Sequence, residues 1–263
     1  MTGHPARNYF DLVRGLNYPF FPGAIFPSEM AFFLYSCERI GIAAIIESGR
    51  QDGYSTAVLG AYCDDRGLPM TSIDIEIDEN RADVARKRLS RFRSLDIRRG
   101  NSFRLIPKVL KSVRGPIALL IDGPKEHEAI YLSSAAAAFG PIGLIAHHNT
   151  APGAPWLPHF ISRFAEAAFF EQSDLANDPD AAKFREWERE FTHATNRDLD
   201  QTSLAIAQLS PKAPNLEYLR GPNMWHTLNA RILYYSWRAG LAFMPAMISR
   251  RLHKSQTQTV VVP

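Results

Sequence analysis

Short apolar runs without polar interruption recur along the chain and determine its predicted architecture. Three of them lie at residues 42–46, 117–121 and 143–146. Continuous runs of this length are typical of parallel strands that are buried on both faces of a sheet. Four further strands are predicted at residues 70–77, 95–98, 168–172 and 203–209. Together these segments predict a mostly parallel, seven-stranded sheet.

Helical patterns separate the predicted strands. They lie at residues 28–40, 56–62, 78–92, 106–113, 126–138 and 158–168. Ser28 is the expected N-cap of the first helix. Because strands that alternate with helices form βαβ units, the pattern predicts a Rossmann-like, doubly wound α/β fold.

Three segments divide the chain. Residues 1–26 are rich in aromatic residues, proline and glycine, which predicts an irregular N-terminal arm that lies against the domain or a partner subunit. Residues 27–212 form the predicted Rossmann-like domain, and its polar stretch at 174–200 is expected to be a partly helical insertion. Residues 213–263 form a predicted C-terminal helical extension that is aromatic and basic.

The apolar part of this extension, residues 232–248, is interrupted by Arg238 and Pro245. It is too short and too broken to span a bilayer. We expect the extension to pack against its own domain or against a second subunit in a homodimer. Peripheral contact with a membrane interface is the alternative.

Composition narrows the class of protein. With 263 residues, of which 46% are hydrophobic and 22% charged, the chain can bury one sizeable core. A net charge of +3 is too small to indicate a nucleic-acid partner. Two cysteines, Cys37 and Cys63, without metal-type spacing fit a reducing compartment. No secretory h-region and no membrane-spanning apolar run occur, so a cytoplasmic location is expected.

Candidate chemistry begins directly after the first strand. Gly49 and Gly53 bracket a loop, and Tyr54, Ser55 and Thr56 then open a helix. Glycine allows the backbone to approach a ligand closely, and a helix N-terminus offers unpaired N–H groups. A strand, a glycine turn and a helix in this order indicate a nucleotide-type binding site.

Polar residues also stand at the ends of successive predicted strands. They are Glu47, Asp74 or Glu76, Asn101, Asp122 and His148. Ligands of open parallel sheets bind beyond the carboxyl ends of the strands. We therefore expect these side chains to line one crevice, although helix caps and solvated loops would also place polar residues there.

Four motifs carry a resemblance to a known family. The stretch ESGRQDGYS resembles the first motif of class I S-adenosylmethionine-dependent methyltransferases, in the form used by the catechol and caffeoyl-CoA O-methyltransferase group. GNSFRLIP, DGPK and HHNTAPGAP resemble three further motifs of that group, in the same order. The similarity covers about residues 40 to 156. It implies the Rossmann-like fold and a small-molecule acceptor.

The resemblance implies a role for each matching residue in binding the cofactor. The methionine end would be lined by Glu47, Gly49 and the backbone of Gly53, Tyr54 and Ser55. Asp74 or Glu76 would accept hydrogen bonds from the ribose hydroxyls, and because both lie on one face of the predicted strand, the choice stays open. Asn101 and Ser102 would contact the adenine, unless Ser102 is only a helix N-cap.

The same resemblance implies a divalent metal, usually magnesium, that activates the acceptor hydroxyl. Its ligands would be Asp122, His148 and Asn149, and Lys125 would be the general base. Lys125 could equally be a surface residue at a helix start. The family has aspartate where this chain has His148, and an imidazole ligand favours manganese, iron, zinc or no metal over magnesium.

Two other residues need an interpretation. Arg50 makes the glycine loop more charged than in the family, and it would bind the cofactor carboxylate or an anionic acceptor, or else face solvent. His147 is expected to point into the helix layer of the sheet.

Together these features predict an S-adenosylmethionine-dependent O-methyltransferase that acts on a small hydroxylated or sugar acceptor. A metal-assisted hydroxylase or hydrolase using Asp122 and His148 is one alternative. A binding protein whose cofactor site has decayed is the other.

Overall fold

The structure of the protein is a computed structural model, and it describes residues 8–150, 160, 164, 167–170, 179–194, 204–209, 215–221 and 223–241. Seven strands and eight helices occur in this part of the chain. The strands are β1 (Ala44–Ser48), β2 (Met70–Asp74), β3 (Leu95–Arg99), β4 (Ile117–Ile121), β5 (Ile142–His148), β6 (Ala167–Phe170) and β7 (Leu204–Gln208). The helices are α1 (Phe10–Gly15), α2 (Pro27–Ile40), α3 (Tyr54–Arg66), α4 (Glu79–Leu89), α5 (Ser102–Ser112), α6 (Glu126–Phe139), α7 (Pro179–Thr192) and α8 (Met224–Arg238). A short 3₁₀ helix, Leu216–Leu219, precedes α8.

The strands form one sheet in the order β3-β2-β1-β4-β5-β7-β6. Neighbouring strands from β3 to β5 pair in parallel, whereas β7 pairs antiparallel with β5 and β6. The chain builds outward from β1 in one direction and from β4 in the other. This reversal opens a crevice beyond the carboxyl ends of the two strands. The predicted Rossmann-like α/β fold with a mostly parallel sheet is confirmed.

Apolar side chains cover both faces of the sheet. Ile45 joins a core with helices α1 to α4 and α7, whereas its neighbours Ala44 and Ile46 point into a second core with α5, α6 and α8. Side chains of a strand alternate between the two faces, so both sets must be apolar when helices cover both. This explains the continuous apolar runs in the sequence.

Strand ends differ most from the prediction in β1, β2 and β5. β1 runs from Ala44 to Ser48, and β5 extends to His148. β2 ends at Asp74, and Glu76 lies beyond it with a φ of 51°. The prediction that Asp74 and Glu76 share one strand face is therefore wrong.

The N-terminal arm is not wholly irregular, because it contains α1. Phe10 of this helix is buried and stacks on Phe184 of α7, with ring centroids 4.0 Å apart. The prediction that the arm lies against the domain is therefore confirmed for its described residues. Phe26, rather than Ser28, is the N-cap residue of α2, and Pro27 takes the first helical position.

The described part of the C-terminal extension packs on the domain. Its helix α8 lies on α6, and its buried face is formed by His226, Ala230, Leu233, Tyr234 and Trp237. The indole Nε1 of Trp237 donates a hydrogen bond to the carbonyl oxygen of Phe103, at 2.7 Å. The predicted helix at 158–168 falls mostly outside the described residues. Within the described ranges, no helix is long and apolar enough to cross a membrane.

Candidate functional site

The glycine loop joins β1 to α3 at the crevice. Gly49 has a φ of 96° and Gly53 a φ of 89°, a backbone region that side chains rarely adopt. A Cβ atom on Gly49 would lie 2.3 Å from the backbone nitrogen of Gly123, in the loop after β4. Only glycine therefore fits where these two loops touch.

Glu47 of β1 stabilises the end of the glycine loop where α3 begins. Its carboxylate is fully buried and accepts hydrogen bonds from the hydroxyls of Ser55, Thr56 and Ser72, each at 2.6 Å. Burial raises the pKa of Glu47, and the three hydroxyls act in the opposite direction. The carboxylate thus ties the start of α3 to β2.

Asp74 holds the loop from the side of β2. Its Oδ2 accepts from the backbone N–H groups of Arg50 at 2.7 Å and Gln51 at 3.0 Å. Its Oδ1 accepts from the N–H of Glu76 at 2.6 Å. One carboxylate therefore fixes both the glycine loop and the turn that follows β2.

Arg50 is buried rather than exposed to solvent. Its guanidinium pairs with Glu76, and its Nη1 lies 3.4 Å from the hydroxyl of Ser72. The other oxygen of Glu76 pairs with Arg86 of α4. The interpretation of Arg50 as a solvent-facing loop charge is therefore wrong, since it belongs to a buried ion-pair chain.

The loop after β3 reaches the same crevice. Asn101 is the N-cap of α5, and its Oδ1 accepts from the N–H of Phe103 at 2.8 Å. Ser102 is the first helical residue, so its alternative role as the N-cap is wrong. Ser102 instead receives a hydrogen bond from the hydroxyl of Ser48 at the end of β1, at 2.6 Å.

Charged side chains meet at the ends of β4 and β5. Asp122 Oδ1 lies 2.5 Å from Lys125 Nζ and 2.9 Å from His148 Nδ1. On its other side, His148 Nε2 lies 3.7 Å from Oε2 of Glu29, a fully buried residue in the first turn of α2. The imidazole therefore lies between two carboxylates.

Burial and these neighbours together shift three pKa values. Burial opposes ionisation of Asp122, but His148 and Lys125 outweigh it, so the pKa of Asp122 lies below its usual value. Burial would lower the pKa of His148, but Asp122 and Glu29 raise it. Burial raises the pKa of Glu29, and the charge of His148 offsets part of that effect.

This arrangement does not fit the divalent metal that the family resemblance implied. Asp122 Oδ1 already pairs with Lys125 and His148, and each ring nitrogen of His148 faces a carboxylate. Asn149, the third expected ligand, is exposed and has a φ of 62°. Among the described residues, no group of three or more His, Cys, Asp or Glu side chains could hold a metal ion.

His147 points away from the crevice, as predicted. Its Nε2 lies 2.5 Å from the hydroxyl of Ser133 on α6, and its ring contacts Phe160 with centroids 4.8 Å apart. Burial lowers the pKa of His147 to about 3, so the imidazole is neutral in the folded protein.

Two residues of the site carry little or no signal in the sequence. Glu29 carries only the signal of an acid in the first turn of a helix, where it accepts from the N–H of Phe26 at 3.0 Å. Ser72 lies inside a strand pattern and carries no signal. The last part of the HHNTAPGAP motif, residues 151–155, falls outside the described residues.

Comparison with known proteins gives distant similarities. No family model matches the chain, and no curated protein does. Among solved structures, it is similar to an O-methyltransferase from Bacillus cereus in complex with SAH, with 15% identity and a TM-score of 0.43 over 80% of this chain and 93% of that chain. It is also similar to the O-methyltransferase TomG from Streptomyces achromogenes in complex with SAM, with 12% identity and a TM-score of 0.43 over 79% and 91% of the two chains. A SAH-bound methyltransferase from Podospora anserina is 14% identical, with a TM-score of 0.42 over 79% and 89%.

Proposed function

We propose that the protein is an S-adenosylmethionine-dependent methyltransferase that methylates an oxygen atom of a small hydroxylated or sugar acceptor in the cytoplasm. The observation that carries the proposal is the glycine loop at the switch point of the sheet. Glu47 and Asp74 fix this loop from two sides, and it adjoins the loop that begins with Asp122. A loop that needs glycine at both ends and is held from two sides is suited to close contact with a cofactor.

The residues present fit S-adenosylmethionine. No side chain among the described residues caps α3 at Gly53, which leaves first-turn N–H groups for the carboxylate of the methionine part. Asn101 and Ser102 offer polar groups for the adenine. When bound, the cofactor supplies an electrophilic methyl group.

Of the two acids after β2, Asp74 is the better partner for the ribose. Glu76 is buried, and arginines engage both of its oxygens. Asp74 is half-buried, and within the described residues its Oδ1 accepts only the N–H of Glu76. One lone pair of that oxygen remains for a ribose hydroxyl.

Asp122 and Lys125 are the groups suited to the acceptor. Because the pKa of Asp122 is lowered, its carboxylate is a weak base that orients the acceptor hydroxyl through a hydrogen bond. The side chain of Lys125 is 48% exposed and can approach the same hydroxyl. As the ion-pair partner of Asp122, Lys125 stabilises the negative charge that develops on the acceptor oxygen, and the proton of the hydroxyl leaves to solvent.

Calorimetric titration with S-adenosylhomocysteine tests the proposal. We expect the wild-type protein to bind without added metal, and Asp74→Asn to weaken binding at least tenfold because a charged hydrogen bond is lost. Asp96→Asn is the matched control, since Asp96 is an exposed acid of β3 that pairs with Arg98. Circular dichroism checks that each variant is folded. No binding by the wild-type protein, with or without magnesium or manganese, would overturn the proposal.

A further inference from the structure

The outer face of α8 is apolar and basic. Met224, Trp225, Leu228 and Tyr235 are 74%, 56%, 42% and 54% exposed. Arg231 and Arg238 are exposed on the same helix. We propose that this outer face docks on an anionic phospholipid surface, independently of the proposed catalytic function.

Helix geometry joins these side chains into one stripe. Met224, Leu228, Arg231, Tyr235 and Arg238 follow one another at spacings of four and three residues. At roughly 100° per residue they lie within an arc of about 80°, and Trp225 lies about 60° outside this arc, on the same exposed side of the helix. The opposite face is buried on α6, so the domain holds the stripe in a fixed orientation.

The charge of this part of the chain is one-sided. From Met224 to Pro263 the sequence contains five arginine or lysine residues and no aspartate or glutamate. Neither Arg231 nor Arg238 forms an ion pair within the described residues. Two arginines of α4 differ, because Arg81 and Arg86 pair with acids. The basic charge of α8 is therefore available for an anionic partner.

A lipid surface fits this combination better than a second copy of the chain. In a symmetric dimer built on this stripe, arginines of both copies would approach each other, and the segment contains no acid to offset their repulsion. At a membrane, apolar and aromatic side chains enter the headgroup boundary, while arginine keeps its charge beside lipid phosphates. Anionic lipids add electrostatic attraction for each basic residue.

Flotation of the full-length protein with vesicles tests the proposal. We expect binding to vesicles of phosphatidylcholine mixed with phosphatidylglycerol, little binding to phosphatidylcholine alone, and release by high salt. The double variant Arg231→Glu/Arg238→Glu should bind at least tenfold more weakly. Arg93→Glu/Arg114→Glu is the matched control, because it changes the net charge equally at exposed arginines elsewhere and should bind like the wild-type protein.

A second measurement tests the apolar contact. Trp225 should enter the interface, so vesicles should shift tryptophan emission to the blue in the wild-type protein and much less in Trp225→Phe. Equal binding to both vesicle types, or equal loss in the two charge variants, would overturn the proposal. So would a stable dimer, seen by analytical ultracentrifugation without vesicles, that Leu228→Glu dissociates.

Discussion

Acid should destabilise this protein through His147, a residue outside the crevice. The side chain is 1% exposed, and burial lowers its pKa to about 3. In the unfolded chain the same imidazole has a pKa of about 6.5. Between these two values the unfolded state binds a proton that the folded state does not bind.

The sign and size of the effect follow from this difference. Stability rises with pH wherever the unfolded state binds more protons, so His147 destabilises the fold as pH falls below about 6.5, down to about 3. Each pH unit well inside this window costs about 1.4 kcal/mol. Between about pH 7 and pH 5 the loss is about 2 kcal/mol. His148 acts oppositely, because its raised pKa gives stability at low pH that is lost as pH rises through the folded value.

A matched variant isolates His147 from the other titrating groups. His147→Gln keeps a hydrogen-bonding partner for Ser133 but does not titrate. Urea unfolding of both proteins across this pH range should give a wild-type free energy of unfolding that falls with acid more steeply, by about 2 kcal/mol over the range. Parallel pH profiles for the two proteins would refute the reasoning.

Three further perturbations test the crevice. Gly49→Ala should cost clearly more unfolding free energy than the control Gly41→Ala. Both residues have positive φ. A Cβ atom on Gly49 would clash with the backbone of Gly123, whereas no atom of the described residues lies within 4 Å of a Cβ atom on Gly41. Equal losses in thermal unfolding would contradict the contact between the two loops. Glu47→Gln should cost about 1 to 3 kcal/mol in urea unfolding, because an amide oxygen cannot accept from three hydroxyls as a carboxylate does. An unchanged midpoint would disprove this role. Chelation with EDTA should leave S-adenosylhomocysteine binding unchanged, because Asp122 and His148 already pair with each other. An affinity that falls on chelation and returns when manganese is added would instead support a metal site.

Local patterns predicted the sheet well but could not locate the end of β2. The residues Ser72 to Ile77 alternate polar and apolar side chains, which is the pattern of a longer strand. The strand stops because the Asp74 carboxylate turns back to the N–H of Glu76 and also holds Arg50 and Gln51 of another loop. The residues of the strand alone give no indication of those partners, which are distant in the sequence.

The same limit applies to buried charge. Arg50 is typical of a solvated loop by its position, and only Glu76, which is remote in sequence, makes it an interior residue. Glu29 likewise has the position of an ordinary cap until the fold brings His148 to 3.7 Å. Sequence can indicate which residue types gather at the strand ends, because parallel strands end at a common edge. It cannot indicate how those residues pair.

That pairing determines what the crevice can offer a ligand. The motif acid Glu47 has its oxygens committed to three hydroxyls, and Glu76 has both of its oxygens committed to arginines. We therefore propose that these two acids act by fixing the glycine loop, and that Asp74 and backbone N–H groups of α3 make the direct contacts with the cofactor. A fixed set of backbone donors favours a ligand with a carboxylate at one end. The methionine part of S-adenosylmethionine has such a group, so the interior network supports the proposed cofactor even though it occupies the acids that the motif first suggested.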